Sequence, residues 1–92
     1  MYTEAVETVL ARAVVASLSD AGTIATTYEL ADAMGLVANH WDSPMVHARH
    51  CAALIAGWLA VPVDRAKLAE ALFALLNDAS GEMPLRMRRV AP

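Results

Sequence analysis

The apolar residues of the chain fall into four stretches, and each has the spacing of a helix. In the first stretch they recur every four positions, with two further members beside the row: Val6, Leu10, Val14 and Leu18, joined by Val9 and Ala13. Thr3 is the predicted N-cap, Glu4 and Glu7 favour the positive end of the helix dipole, and Gly22 ends the pattern. The first helix is therefore predicted to bury one apolar stripe.

The second stretch carries the clearest local signals in the chain. Thr26 is predicted to cap the first unpaired N–H groups, and Glu29, three residues on, to reach back to the N–H of the cap. Gly35 is predicted to adopt the left-handed conformation that ends a helix. These signals predict a short helix from Thr27 to Met34, after a β-favouring connector at residues 23–25. Short helices of this pattern open many helix-turn-helix units.

A third helix is predicted to begin at Ser43-Pro44, since serine is a favoured N-cap and proline is tolerated at the first helical position. We expect it to run to about Ala60. One side of its first half is polar, through His47, Arg49 and His50. Its second half is apolar nearly all round, which predicts a central helix with Trp58 in the core.

The fourth helix is predicted to begin at Asp64 as N-cap, after Pro62 has ended the third. Val63 is expected to pack on Leu68 as a hydrophobic staple. The predicted inward stripe is Leu68, Ala71, Leu72, Leu75 and Leu76. We expect the helix to end near Asn77.

These patterns predict an all-α fold, a compact bundle of four helices with a short helix-turn-helix-like unit as an option. The chain has 92 residues, enough for one domain. We place a single helical domain at residues 1–82. Residues 83–92 alternate apolar and basic residues, and they are interpreted either as a basic C-terminal tail or as a short strand pairing with residues 23–25.

The balance of charge argues against a chain that wraps nucleic acid. Charged residues make up 18% of the chain, below the usual quarter or so, and the net charge is -3. Such a surface suits cover by a partner protein or by a second copy in a homodimer. The basic cluster is Arg86, Arg88 and Arg89. It is either a contact for nucleic acid or an acidic protein, or a solvated tail.

No motif for catalysis, for a metal ion or for a cofactor stands out. His47, His50 and Cys51 share a face of the third helix, but no second cysteine or CxxC motif accompanies them. Cys51 begins the most apolar stretch, which favours a core thiol over a nucleophile. A single cysteine fits a reducing compartment, and the apolar run of residues 51–63 is too short to span a bilayer. We therefore expect a cytoplasmic, non-enzymatic protein.

Trp41 is the leading candidate for a binding residue. It stands between His40 and Asp42 in a polar connection, where it is either a lid on the core or an exposed anchor for a partner. The predicted partner-binding residues are His40, Trp41, His47 and Arg49, together with the acidic Glu29 and Asp32.

The segment from Thr26 to Gly35 resembles one in a small helical family of type I-E anti-CRISPR proteins, which has a similar Thr-Thr-Tyr-Glu-aliphatic-Ala-acidic-x-Met-Gly run. The resemblance covers about a tenth of the chain and carries no binding residues with it. It implies a phage or mobile-element protein that blocks a CRISPR effector through protein contact, without catalysis.

The alternative hypothesis is a helix-turn-helix transcriptional regulator that binds DNA. In that case the first three helices form the core, and His47, Arg49 and His50 lie near the tip of the recognition helix. The connection from Gly35 to Pro44 is longer than the turn of such a motif, and the third helix is poor in lysine and arginine. The sequence therefore favours a protein-binding module.

Overall fold

Four helices make up the regular structure of the part of the chain that the structure describes. The computed structural model describes residues 3–19, 24–39, 41–60 and 62–76. The helices are α1 (Val6–Leu18), α2 (Thr27–Ala33), α3 (Pro44–Trp58) and α4 (Arg65–Leu75). These residues contain no strand, which confirms the predicted all-α bundle. Residues 77–92, with the end of the predicted domain and the basic tail or strand, lie outside the described residues.

Helices α3 and α4 pack against each other at the centre of the bundle. Helix α3 also packs against α2, and α1 lies on α4 with a smaller contact to α2. The buried core combines small and large apolar residues in nearly equal number: Ala11, Leu30, Ala31, Ala48, Cys51, Ala52, Ile55, Leu68, Ala69, Leu72 and Leu76. Because alanine keeps the side-chain layer thin, neighbouring helix backbones can approach closely. None of the described helices is long and apolar enough to cross a membrane.

The predicted start of the first helix is wrong. Helix α1 begins at Val6 after Ala5, which offers no side-chain cap, so Thr3 lies outside the helix. Glu4 lies outside it as well and pairs with Arg12, which donates to both carboxylate oxygens. This hydrogen bonding by Arg12 lowers the pKa of the Glu4 carboxyl. The first turns of α1 thus carry a charge pair, and no side chain caps their N–H groups.

The predicted apolar stripe of α1 is also wrong in part. Val6 and Val9 are exposed, whereas Glu7 and Ala11 are buried, with Leu10 half-buried beside them. The inward face is therefore turned toward Glu7 and Ala11 and keeps only part of the predicted stripe, since Leu10 and Val14 still pack against the core. The prediction relied on large apolar residues alone, whereas the buried face of this helix also contains small and polar residues.

Glu7 is buried because its carboxylate completes the start of another helix. The N–H of Asp64, the N-cap of α4, donates to Oε2 of Glu7 over 3.2 Å. In a capping box this N–H is satisfied by a Glu or Gln three residues after the cap, but Lys67 stands there. Glu7 supplies the missing acceptor from α1, and so ties the first helix to the last.

The signals around α2 are confirmed, with one change. The hydroxyl of Thr26 accepts the N–H of Glu29 over 3.1 Å. The Glu29 carboxylate accepts the N–H of Ala25, at 3.0 Å, whereas the sequence predicted the N–H of Thr26. Gly35 has φ +81°, in the left-handed region, and it ends the helix as predicted. The N–H of Leu36 then donates to the Ala31 carbonyl, which completes a Schellman motif.

The predicted starts of α3 and α4 are confirmed, since Ser43 accepts from the N–H of Val46 and Asp64 from that of Lys67. Their predicted faces are partly wrong. Trp58, expected in the core, is 58% exposed at the last residue of α3. On α4, Leu75 is exposed and Ala69, which was not predicted, is buried.

The two described helix-associated glycines provide a matched pair for a stability test. A Cβ at Gly35 or at Gly57 would meet no atom within 4 Å, so neither substitution creates a clash. Gly35→Ala must adopt a left-handed backbone, and we expect it to lower the free energy of unfolding by about 1 to 2 kcal/mol. Gly57→Ala lies inside α3 and should raise it by about 0.5 to 1 kcal/mol. Urea unfolding measures both, and equal effects of the two changes would contradict the role of Gly35.

Candidate functional site

The connection between α2 and α3, residues 34–43 (the α2–α3 loop), exposes large apolar side chains. Val37 is fully exposed and Trp41 is 84% exposed. Of the two interpretations of Trp41, the lid on the core is therefore wrong, and the side chain faces outward. His40, its neighbour in the predicted binding patch, lies outside the described residues.

Asn39 fixes the backbone on which Trp41 stands. Its Oδ1 accepts the N–H of Trp41 over 2.9 Å, and its carbonyl oxygen accepts the N–H of Asp42 over 3.0 Å. This is an Asx turn combined with a backbone turn, and it restricts the loop without burying it. The exposed indole is thus attached to a hydrogen-bonded turn.

His47 stabilises that turn from its buried side. Its Nε2 lies 2.8 Å from the carbonyl oxygen of Asn39, so Nε2 carries the hydrogen and donates it. The ring also meets Tyr28 of α2 edge-on, with ring centroids 5.4 Å apart. Its Nδ1 is buried and has no hydrogen-bond partner among the described residues. The imidazole therefore connects α3, α2 and the loop.

This placement corrects the prediction that His47 belongs to a contact surface. The residue is only 2% exposed, because α2 and the α2–α3 loop cover that side of α3. It can support a partner-binding surface from beneath but cannot touch the partner. A second tie strengthens the same junction, since the buried hydroxyl of Thr27 donates to the Pro44 carbonyl over 3.0 Å.

The other predicted contact residues are distributed around this junction. Arg49 and Asp32 are exposed, on α3 and α2 respectively, and remain predicted contacts. Glu29 is half-buried, and its carboxylate is already used in the cap of α2. The basic cluster at residues 86–89 lies outside the described residues.

The histidines and the cysteine of α3 do not assemble into a reactive group. Cys51 and His47 are buried, whereas His50 faces solvent. No group of three potential metal ligands occurs within the described ranges. Burial raises the pKa of the Cys51 thiol to about 12, so the thiolate that nucleophilic attack requires is suppressed at neutral pH.

Sequence reasoning identified Trp41 but missed Asn39 and Tyr28. An asparagine in a polar connection is a signal for an Asx turn, in which its side chain accepts the N–H two residues on, and the sequence contains this signal. The contact of Tyr28 with His47 had no local signal, because the two residues meet only when α2 folds against α3.

No protein-family model matches the chain, and no curated protein or solved structure shows significant similarity to it.

We predict a pH dependence of stability that comes from Cys51. The folded pKa is raised to about 12 from an ordinary value of 9.0, so burial of the thiol contributes fully to stability below about pH 9. That contribution declines as the pH rises from 9 toward 12, because the unfolded chain ionises first. The decline should be absent from Cys51→Ala, which is the control for tyrosine and lysine titration. Parallel losses of stability in both proteins would contradict the prediction.

We also predict that the α2–α3 loop loosens when its hydrogen bonds are removed. Asn39→Ala deletes the acceptor for the Trp41 N–H, and His47→Phe keeps the aromatic contact with Tyr28 but loses the donor to Asn39. Both changes should speed amide hydrogen exchange at Trp41 and Asp42 by roughly five-fold or more, since each hydrogen bond contributes about 1 kcal/mol. Exchange at the core amide of Ile55 serves as the control. Unchanged exchange at Trp41 in Asn39→Ala would refute the Asx turn.

Proposed function

We propose that this protein is a non-enzymatic protein-binding module that uses the α2–α3 loop as its contact surface. The observation that carries the proposal is the 84% exposed Trp41 on a turn fixed by Asn39 and His47. A tryptophan left in water forgoes the apolar burial that a core position provides. In a complex, the same indole can supply that burial to a partner.

The rigidity of the loop is as important as its exposure. Tryptophan is enriched among the residues that dominate binding energy, and an anchor held in its bound conformation loses less entropy on association. The hydrogen bonds to the Asn39 side chain and carbonyl restrict the loop before any partner arrives. Val37 on the same loop adds apolar area, and exposed Asp32 on α2 adds a charge.

A binding role without catalysis is supported by the state of Cys51 and His47, the two residues of α3 that could otherwise act as nucleophile and base. Cys51 is fully buried, and the raised pKa keeps its thiol protonated. His47, its neighbour on α3, uses Nε2 to hold Asn39 and is inaccessible to a substrate. Cys51 therefore belongs to the core and His47 stabilises the loop, which supports a structural role for both side chains.

The proposed partner is a subunit of a type I-E CRISPR effector, which makes the protein an inhibitor of phage or mobile-element origin. This part of the proposal is based on the resemblance of residues 26–35 to the anti-CRISPR family. That segment forms the capped helix α2 and ends at Gly35, directly before Val37 and Trp41. It therefore sets the direction in which the contact loop leaves the bundle.

The DNA-binding alternative fits the described surface less well. A recognition helix needs basic side chains beside the phosphates, and α3 offers Arg49 and exposed His50, while His47 is buried. Ten residues, 34–43, separate α2 from α3, more than the short turn of a helix-turn-helix unit.

The test is the affinity of Trp41→Ala for a purified type I-E effector complex, measured by biolayer interferometry. We expect at least about 30-fold weaker binding, which corresponds to the roughly 2 kcal/mol of a binding hot spot. The matched control is Trp58→Ala, which removes another exposed indole and should change affinity by less than about three-fold. Circular dichroism establishes that both variants are folded.

Each part of the proposal can be contradicted by a separate result. If the unmodified protein does not bind the effector complex, the proposed partner is wrong. If Trp41→Ala binds as tightly as the unmodified protein, the proposed surface is wrong. A salt-sensitive mobility shift of random duplex DNA by the isolated protein would favour the regulator instead.

A further inference from the structure

The imidazole of His47 is buried with one of its two nitrogens unpaired. The side chain is 2% exposed, and Nε2 donates to the Asn39 carbonyl over 2.8 Å. Nδ1 is enclosed as well, and no atom of the described ranges forms a hydrogen bond with it. In this neutral tautomer Nδ1 is an acceptor without a donor. The packed loop therefore accommodates the neutral ring at the expense of one hydrogen bond that water would supply.

A further proton can bind only at Nδ1, since Nε2 already carries its hydrogen. The ring then becomes a cation, and its new N–H lies where water does not reach. A buried charged donor without an acceptor is much more costly than a buried neutral acceptor. Protonation also strengthens the bond from Nε2 to Asn39, because a charged donor binds an acceptor more tightly. That gain is a fraction of one bond, whereas the cation lacks a whole bond and its hydration.

No acidic side chain of the described residues is paired with this imidazole. The Glu29 carboxylate, on the neighbouring α2, accepts hydrogen bonds in the cap of that helix. The charged and titratable groups on the elements around the ring are Tyr28, Glu29 and Asp32 on α2, His40 and Asp42 in the loop, Arg49, His50 and Cys51 on α3, and Arg65, Lys67 and Glu70 on α4. Of these, His40 lies outside the described residues. A cation at His47 therefore lacks a bonded counter-ion while the loop is packed.

We infer that protonation of His47 opens the α2–α3 loop. When the loop lifts from α3, the bond from Nε2 to the Asn39 carbonyl breaks and water reaches both ring nitrogens. Because the open state binds the proton more readily, acid favours it. An imidazole in water titrates near pH 6.5, so the loop is closed at neutral pH and opens as the pH falls below about 6. This controls the surface of the proposed function, and only its effect on binding rests on that function.

The first test measures opening without any partner, by amide hydrogen exchange of the full chain at about pH 7.5 and about pH 5. Protection factors at Trp41 and Asp42 remove the intrinsic pH dependence of exchange and report the open population. If the closed loop binds no proton, that population rises by up to about 30-fold at the lower pH. We expect protection to fall by at least about five-fold, while the core amide of Ile55 keeps its protection.

Three variants assign the effect to one histidine. His47→Gln cannot be protonated but keeps a side-chain N–H that can reach the Asn39 carbonyl, so its loop should stay protected in acid. His50→Gln removes an exposed histidine of the same helix and is the matched control, and His40→Gln removes the histidine of the loop itself. Both should open like the unmodified chain. If His47→Gln is poorly folded, NMR of the unmodified chain remains informative, because the ring resonances of His47 should titrate together with the Trp41 amide.

Protection that is equal at the two pH values, or that falls in His47→Gln as in the unmodified chain, would overturn the inference. A transition that disappears in His40→Gln or His50→Gln would also overturn it. Binding to the effector complex is measured separately, and it should weaken in acid for the unmodified chain but not for His47→Gln. Absence of binding at both pH values contradicts the proposed partner, whereas the exchange result tests the inference by itself.

Discussion

Close packing around the small residues of α3 is the constraint on which this structure depends. The face of α3 that enters the core is formed by Ala48, Cys51, Ala52 and Ile55, all of them buried. With so little side-chain volume between them, α2 and α4 can approach α3 closely, and there is little room for large groups. Leu30, Leu68 and Leu72 fill the spaces that remain.

Several large apolar side chains are exposed, among them Val6, Val9, Trp41 and Trp58. Some of these occur singly and need no explanation. The α2–α3 loop is different, because it combines apolar area with a hydrogen-bonded backbone and polar neighbours.

Signals that act within a few residues were predicted well from the sequence at the ends of α2 and at the starts of α3 and α4, but not at the start of α1. The Thr26 cap, the Gly35 stop and the Ser43 start each depend on a side chain or a φ angle close to the helix end, so local chemistry decides them. The faces of the helices were predicted poorly. Which side of α1 turns inward depends on its packing against α4, including the bond from Asp64, and no local pattern contains that information.

The residues of the candidate site divide in the same way, between those with a local signal and those whose position depends on distant contacts. Trp41 was identifiable as a large apolar residue in a polar connection, and its side chain could not be assigned to core or surface from residue type. His47 was predicted at the surface because it belongs to the polar side of α3, yet α2 packs against that side and buries it. Its role emerges only from its bond to Asn39.

The bond between Glu7 and Asp64 has a consequence for synthesis of the chain. The two residues are 57 positions apart, so Glu7 is synthesised well before its docking partner exists. At about 5 to 20 residues per second, translation needs roughly 3 to 11 s to supply Asp64 after Glu7. The face of α1 that carries Glu7 therefore cannot dock during that interval, and the bundle closes only after the start of α4 has been made.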